Sequence, residues 1–129
     1  MYTKTVDIVL LEDIPFKELL PKIEKVFKTS LPFENKKGRH IAKSCVQYLN
    51  VEVIDRYDDL SGLLCDDYHT LVLTFFYEGS LDYLEKEKYV KEILKNLIMW
   101  DYGIWSPIEK GEPYRKIFPN KETEIFYIN

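Results

Sequence analysis

Apolar positions in this chain recur with two different periods, and the switches between them lay out its secondary structure. Thr5 to Leu11, TVDIVLL, is short and rich in β-branched residues, which predicts a largely buried strand. Beyond Asp13, a candidate helix cap, the residues Phe16, Leu19, Leu20, Ile23, Val26 and Phe27 recur at the spacing of one helical face. Pro21 falls inside that face, so the pattern predicts either a kink or a helix beginning near Leu20, ended in both cases by Leu31-Pro32. After a polar break over residues 35–38, residues 39–50 place Ile41, Ala42, Cys45, Val46 and Leu49 at helical spacing. A helix is the favoured reading there. The alternative is a strand that completes a hairpin with the one that follows.

Val51 to Asp55 alternates cleanly and reads as a strand, and Asp58 with Leu60, Leu63 and Leu64 behind it reads as one capped helical turn. Residues 68–77, YHTLVLTFFY, form the strongest strand by β-branched and aromatic content. Ser80 then caps the longest helix, with Tyr83, Val90, Ile93, Leu94, Leu97 and Ile98 as its buried stripe, Glu85, Lys86, Glu87, Lys88, Lys91, Glu92 and Lys95 on its solvated face, and Gly103 as its stop. The remaining segment is turn-rich and aromatic, with Glu124 to Ile128 as a closing strand. Strands separated by helices in this order predict an α+β or α/β fold: one domain over residues 1–129, a small sheet of about four strands packed with helices on one or both faces.

Composition narrows the class. At 129 residues the chain is too short for two comfortable domains, and 46% apolar with 31% charged residues is ordinary for a globular protein, so it is expected to fold. The amino-terminal run is too short and too charged for an export signal or a membrane span. Two cysteines do not make a disulfide framework, and reduced thiols in a cytoplasmic protein are the expectation. The formal charge of −4 is unevenly spread. Nine bases meet six acids over residues 1–51 and eight meet eight over 83–129, whereas residues 52–82 set eight acids against Arg56 alone. A negative source of that kind attracts cationic partners and disfavours direct nucleic-acid binding.

The centre of that source is Val53 to His69, VIDRYDDLSGLLCDDYH. Three chemistries could use it. Zinc could take His40, Cys45, Cys65 and His69, but neither half has paired-ligand knuckle spacing. A Cys65–His69 nucleophile pair would have its thiolate disfavoured by the adjacent aspartates. Magnesium could take Asp55, Asp58, Asp66 and Asp67, yet the region lacks the lysine that supports an attacking water. No glycine-rich phosphate loop, nucleophile elbow or metalloprotease helix occurs. The expectation is therefore a protein without catalytic residues, metal or cofactor. Aspartates that cap turns would explain single positions, but an interaction surface accounts better for the asymmetry of the whole stretch. Its expected residues are the carboxylates Asp55, Asp58, Asp59, Asp66, Asp67 and Glu78, with Tyr57 and Tyr68 as rigid anchors. Trp100, Tyr102 and Trp105 form a second aromatic cluster for which core packing is the favoured role.

In IDRYDDLSGLLCDDYH, the strand behind it, and WDYGIWSP at residues 100–107, the chain resembles the immunity proteins of bacterial polymorphic-toxin and contact-dependent growth-inhibition systems. The resemblance implies a one-to-one complex that neutralises a cognate toxin domain, commonly a basic nuclease, by covering its active site or substrate groove. The charge and the lack of an apolar span further lead to the expectation of no direct nucleic-acid or membrane contact, and the free protein is expected to be a monomer or weak dimer. A phage-type inhibitor of a nucleic-acid enzyme would use the same surface, and a small metal-dependent hydrolase built on the Asp/Cys/His cluster is the third reading.

Overall fold

The computed structural model describes residues 1–58, 63–64, 67–106 and 111–127. Its elements are β1 (Tyr2–Leu10), α1 (Phe16–Phe27), β2 (Phe33–Lys36), β3 (Arg39–Val46), β4 (Leu49–Ile54), β5 (Tyr57–Asp58), β6 (Leu63–Leu64), β7 (Thr70–Tyr77), α2 (Tyr83–Leu94), β8 (Trp100–Ser106), β9 (Tyr114–Ile117) and β10 (Glu124–Phe126). Eight strands form one antiparallel sheet in the order β10-β9-β8-β1-β7-β4-β3-β2, and β5 pairs with β6 in a separate two-stranded ribbon. The expected four-strand sheet packed with helices is overturned, because the chain is mostly one eight-stranded antiparallel sheet with two short helices.

Period-two alternation sorts the strand residues between the two faces of the sheet. Val6, Ile8 and Leu10 of β1 share one face with Leu71, Leu73 and Phe75 of β7, Leu49, Val51 and Val53 of β4, and Ala42 of β3. All are buried, and they join one core with Phe16, Leu19, Leu20, Ile23, Val26 and Phe27 of α1 and with Val90 and Leu94 of α2. On the other face, Asp7, Val72, Glu52, Lys43 and Ile104 are half-buried or exposed. Among the described residues no helix is long and apolar enough to cross a membrane.

Four local expectations change for identifiable reasons. Residues 39–46 are a strand, not a helix. Pairing with β4 fixes Ile41 opposite Ile54, Ala42 opposite Val53 and Lys43 opposite Glu52, so tertiary partners override a helical spacing that the same letters also satisfy. Leu63 and Leu64 are in β6, not in a helical turn after Asp58, while Leu60 lies outside the described residues. Helix α1 begins at Phe16, directly after Pro15, and runs through Pro21, whose exposed position leaves the orphaned carbonyl of Lys17 on the solvent side. Helix α2 is capped by Asp82, which accepts from the Glu85 backbone N–H at 3.1 Å, and it ends at Leu94. Gly103 is therefore not a helix stop. It lies inside β8, where an added Cβ would come within 3.1 Å of side-chain carbons of Val6, Ile8 and Ile117, a tight approach that would make those side chains give by a few tenths of an ångström.

Candidate interaction surface

The acidic stretch is an excursion from one end of the β4/β7 pair. Ile54 lies opposite Thr70 in the sheet, so the chain leaves at Asp55, forms the β5–β6 ribbon and returns at His69 to the place it left. At the ribbon's base lies a cluster of titratable side chains. His69 is 0% exposed; its Nε2–H donates to the Ile14 carbonyl at 2.7 Å, and its Nδ1 accepts from the Arg56 backbone N–H at 3.2 Å. That network assigns the neutral ring its proton on Nε2. Asp55, 5% exposed, sets Oδ1 3.5 Å from the same Nδ1 and Oδ2 3.4 Å from Nδ1 of His40. Backbone bonds complete the base: Asp55 N–H donates to the His40 carbonyl and Leu10 N–H to the His69 carbonyl, each at 3.0 Å.

The aromatic surroundings add to this rigidity. His40 stacks on Phe16 at 6.0 Å between ring centroids and meets Phe33 edge-on at 5.5 Å. Arg56 pairs with Asp13 at 2.6 Å, which draws the one base of the acidic region, and the aspartate expected to cap α1, into the same base. Burial pushes the His69 pKa below the usual histidine value, a shift that the Ile14 carbonyl and Asp55 only partly offset. A neutral imidazole in this position is what the hydrogen-bond pattern requires.

The expected surface residues distribute as follows. Asp55 is buried in the base and presents nothing to a partner, since its oxygens face two imidazoles. Tyr57 and Asp58 have their backbones in β5, and Asp59 and Asp66 lie outside the described residues. Asp67 and Tyr68 are exposed, Tyr68 by 44%. Glu78 is exposed too but stands beyond the far end of β7, whose eight residues, at about 3.4 Å each, put it roughly 27 Å from the ribbon. The eight residues therefore do not make one patch. Between Tyr57 and Tyr68 the sequence still holds four aspartates and no lysine or arginine.

The metal readings meet geometry as well. His40 and Cys45 are five residues apart on β3, about 17 Å along an extended strand and on opposite faces, so they cannot share an ion. Cys65 lies outside the described residues, and among those described no three His, Cys, Asp or Glu side chains are arranged to hold a metal. Trp100 and Trp105 are buried in the core, as favoured, while Tyr102 is half-buried on the opposite face with Lys116 4.3 Å from its ring centroid.

One buried constellation was missed from sequence. Glu87, expected on the solvated face of α2, is 3% exposed and accepts from Trp105 Nε1 at 2.9 Å, Arg115 Nε and a terminal guanidinium N–H at 2.8 and 2.9 Å, and the Thr123 hydroxyl at 3.1 Å. The available signal was weak: Glu87 is flanked by Val90 and Leu94 at helical spacing, which turns its side of the helix toward the sheet. No protein-family model, curated protein or solved structure matches the chain.

Proposed function

We propose that this protein is a binding protein of the immunity type, which neutralises a basic toxin domain by offering it the acidic stretch of residues 57–68. The observation that carries the reading is the division of labour at the ribbon's base. Asp55 and Arg56 are committed to internal partners, and the stretch they anchor holds four aspartates and no base. Carboxylates on a fixed support suit recognition of the lysines and arginines that a nuclease must present to phosphates. Tyr68, exposed beside Asp67, supplies an aromatic anchor of the kind found at the centre of interfaces. On this reading the free protein is cytoplasmic, a monomer or weak dimer, not an enzyme, and needs no cofactor. A nucleic-acid enzyme as the target would use the same surface.

The test is charge reversal restricted to the acidic stretch, with Asp58, Asp59, Asp66 and Asp67 changed to lysine and Asp55 left in place because it belongs to the base. Capture of a basic domain from cells expressing the neighbouring genes should fall by a hundredfold or more, the scale of several charge pairs at about 1.4 kcal/mol per tenfold. Circular dichroism should be unchanged. Retention of the same partner with full protection after reversal would remove the ribbon from the interface.

A further inference from the structure

Both helices lie on one face of the sheet, where their apolar residues join Val6, Ile8 and Leu10 in the core, and among the described residues no helix covers the opposite face. Alternation along β1 turns Asp7 toward that uncovered face, as the one charge in the run TVDIVLL. It sits near the centre of the sheet. Asp7 lies directly opposite Val72 of β7 on one side and Ile104 of β8 on the other, and Val9, Ile41 and Ile54 continue the apolar surface across the neighbouring strands. Asp7 is exposed, and among the described residues it has no hydrogen bond or ion pair. Other charges on this face are answered: Lys43 is 3.9 Å from Glu52, and Lys116 stands 4.3 Å from the ring centroid of Tyr102. Partial burial among its neighbours pushes the Asp7 pKa up from the usual aspartate value.

We propose that the uncovered face of the sheet docks a partner protein that presents an arginine or lysine within an apolar surface, with Asp7 as the carboxylate that receives it. The size fits. Strands β8, β1, β7, β4 and β3 are six to nine residues long, and at about 4.8 Å between strands and 3.4 Å per residue they make a face of roughly 600 Å². The shorter outer strands extend it toward the roughly 800 Å² that each partner buries in a standard interface. The sign of the charge selects the occupant. Nucleic acid or an anionic lipid surface would bring like charge to Asp7, and a second copy docked about the centre of the sheet would set one Asp7 against the other. A partner's cation instead offsets the cost of covering a lone carboxylate, and the aliphatic side chains around the pair exclude water from it. The docking face stands whether or not the acidic stretch of residues 57–68 has a partner.

The peptides acetyl-Val-Arg-Val amide and acetyl-Val-Glu-Val amide, titrated at matched ionic strength into methyl-labelled protein, test the assignment. Saturable shifts at the methyls of Val9, Val72 and Ile104 are expected with the arginine peptide and not with the glutamate peptide. Asp7→Asn should weaken binding of the arginine peptide about fivefold, the scale of one partly exposed ion pair. Its Tm should stay level or rise, because the folded protein gives up an unpaired and partly desolvated charge. Equal shifts with both peptides, undiminished binding in Asp7→Asn or a lower Tm in that variant would each overturn the assignment. So would self-association of Asp7→Asn with peptide binding unchanged, which would make the aspartate a guard against aggregation of the bare sheet. Shifts at the same methyls that follow the concentration of the protein alone would put a second copy in the partner's place and overturn it too.

Discussion

Asp55 and Glu87 are carboxylates buried to nearly the same degree, 5% and 3% exposed, at two different joints of the sheet. Asp55 faces the imidazoles of His40 and His69; Glu87 faces a guanidinium, an indole N–H and a hydroxyl. A buried carboxylate must be compensated in either case. The partners differ in what they do when protons become available. Arginine stays charged at every accessible pH, and its contact with Glu87 holds the guanidinium proton still more firmly, so that joint is indifferent to acid over the physiological range. Histidine changes charge within that range, so the Asp55 joint, which positions the ribbon, is the one that acid can rearrange. Glue for the fold and support for the surface are thus built from different chemistries.

The sharpest way to break the comparison is Glu87→Ala. It strips four hydrogen bonds at once and leaves the guanidinium of Arg115, whose side chain is 15% exposed, without its bidentate partner. Removing one partner of a buried pair costs about 3–5 kcal/mol. Thermal unfolding should show a Tm lowered by roughly 10 °C or more, and the loss should be the same at neutral and mildly acidic pH. A loss that shrinks on acidification would collapse the contrast with Asp55.

His69→Leu is the next largest perturbation. It leaves the Ile14 carbonyl and the Arg56 N–H without their partner, at about 1–3 kcal/mol each. The pH dependence identifies the cause. Because burial lowers the His69 pKa in the folded protein, the unfolded chain binds the extra proton more readily. The stability contributed by neutral His69 is complete above the usual value of 6.5 and is lost as the pH falls from there through the lowered folded value. Protonation at Nδ1 also replaces an acceptor with a donor facing the Arg56 N–H, with Asp55 Oδ1 3.5 Å away as its alternative acceptor. Chemical denaturation should show wild-type stability declining through that window and a flatter profile for His69→Leu. Protection of the Arg56 amide from hydrogen exchange, relative to its intrinsic rate at each pH, should fall on acidification while that of the Trp105 indole does not. A wild-type profile that is flat through the histidine range would contradict the lowered His69 pKa.

How much of this was legible in the chain depends on whether a partner far away decided the outcome. β7 and β4 could be read because their apolar residues alternate or run together over five to eight positions, and α1 because six apolar residues fall on one face. β3 could not, since Ile41, Ala42, Cys45, Val46 and Leu49 satisfy a helix as well as a strand half-buried on both faces, and only the pairing with β4 decides. The outer strands β2 and β9 are four residues long and carry too little alternation to detect, whereas β10 falls within the closing strand expected from Glu124 onward. The sheet order, with the first strand between β7 and β8, is a non-local fact absent from any window. The same distinction applies to the surface. The charge of residues 57–68 stands in the letters, whereas the burial of Asp55 and the distance of Glu78 depend on where β4 and β7 end.

The start of α2 offers the smallest and cleanest test of that distinction. Ser80 and Asp82 are both good capping residues, and from sequence Ser80 was the favoured one; in the structure Asp82 accepts the Glu85 N–H and Ser80 is exposed before the helix. A cap is worth about 1 kcal/mol, and its negative charge adds a favourable interaction with the positive end of the helix. Asp82→Ala should therefore lower the Tm by roughly 3–5 °C, and Ser80→Ala should leave it unchanged. Because α2 carries Glu87 toward Trp105 and Arg115, fraying of its first turn by Asp82→Ala should loosen that joint alone. Exchange at the Trp105 indole would rise while the amide of Arg56, bonded to His69, stays protected. Equal changes at both sites would mean that the two joints open together as one unit, and that the separation drawn from their partners does not extend to their dynamics.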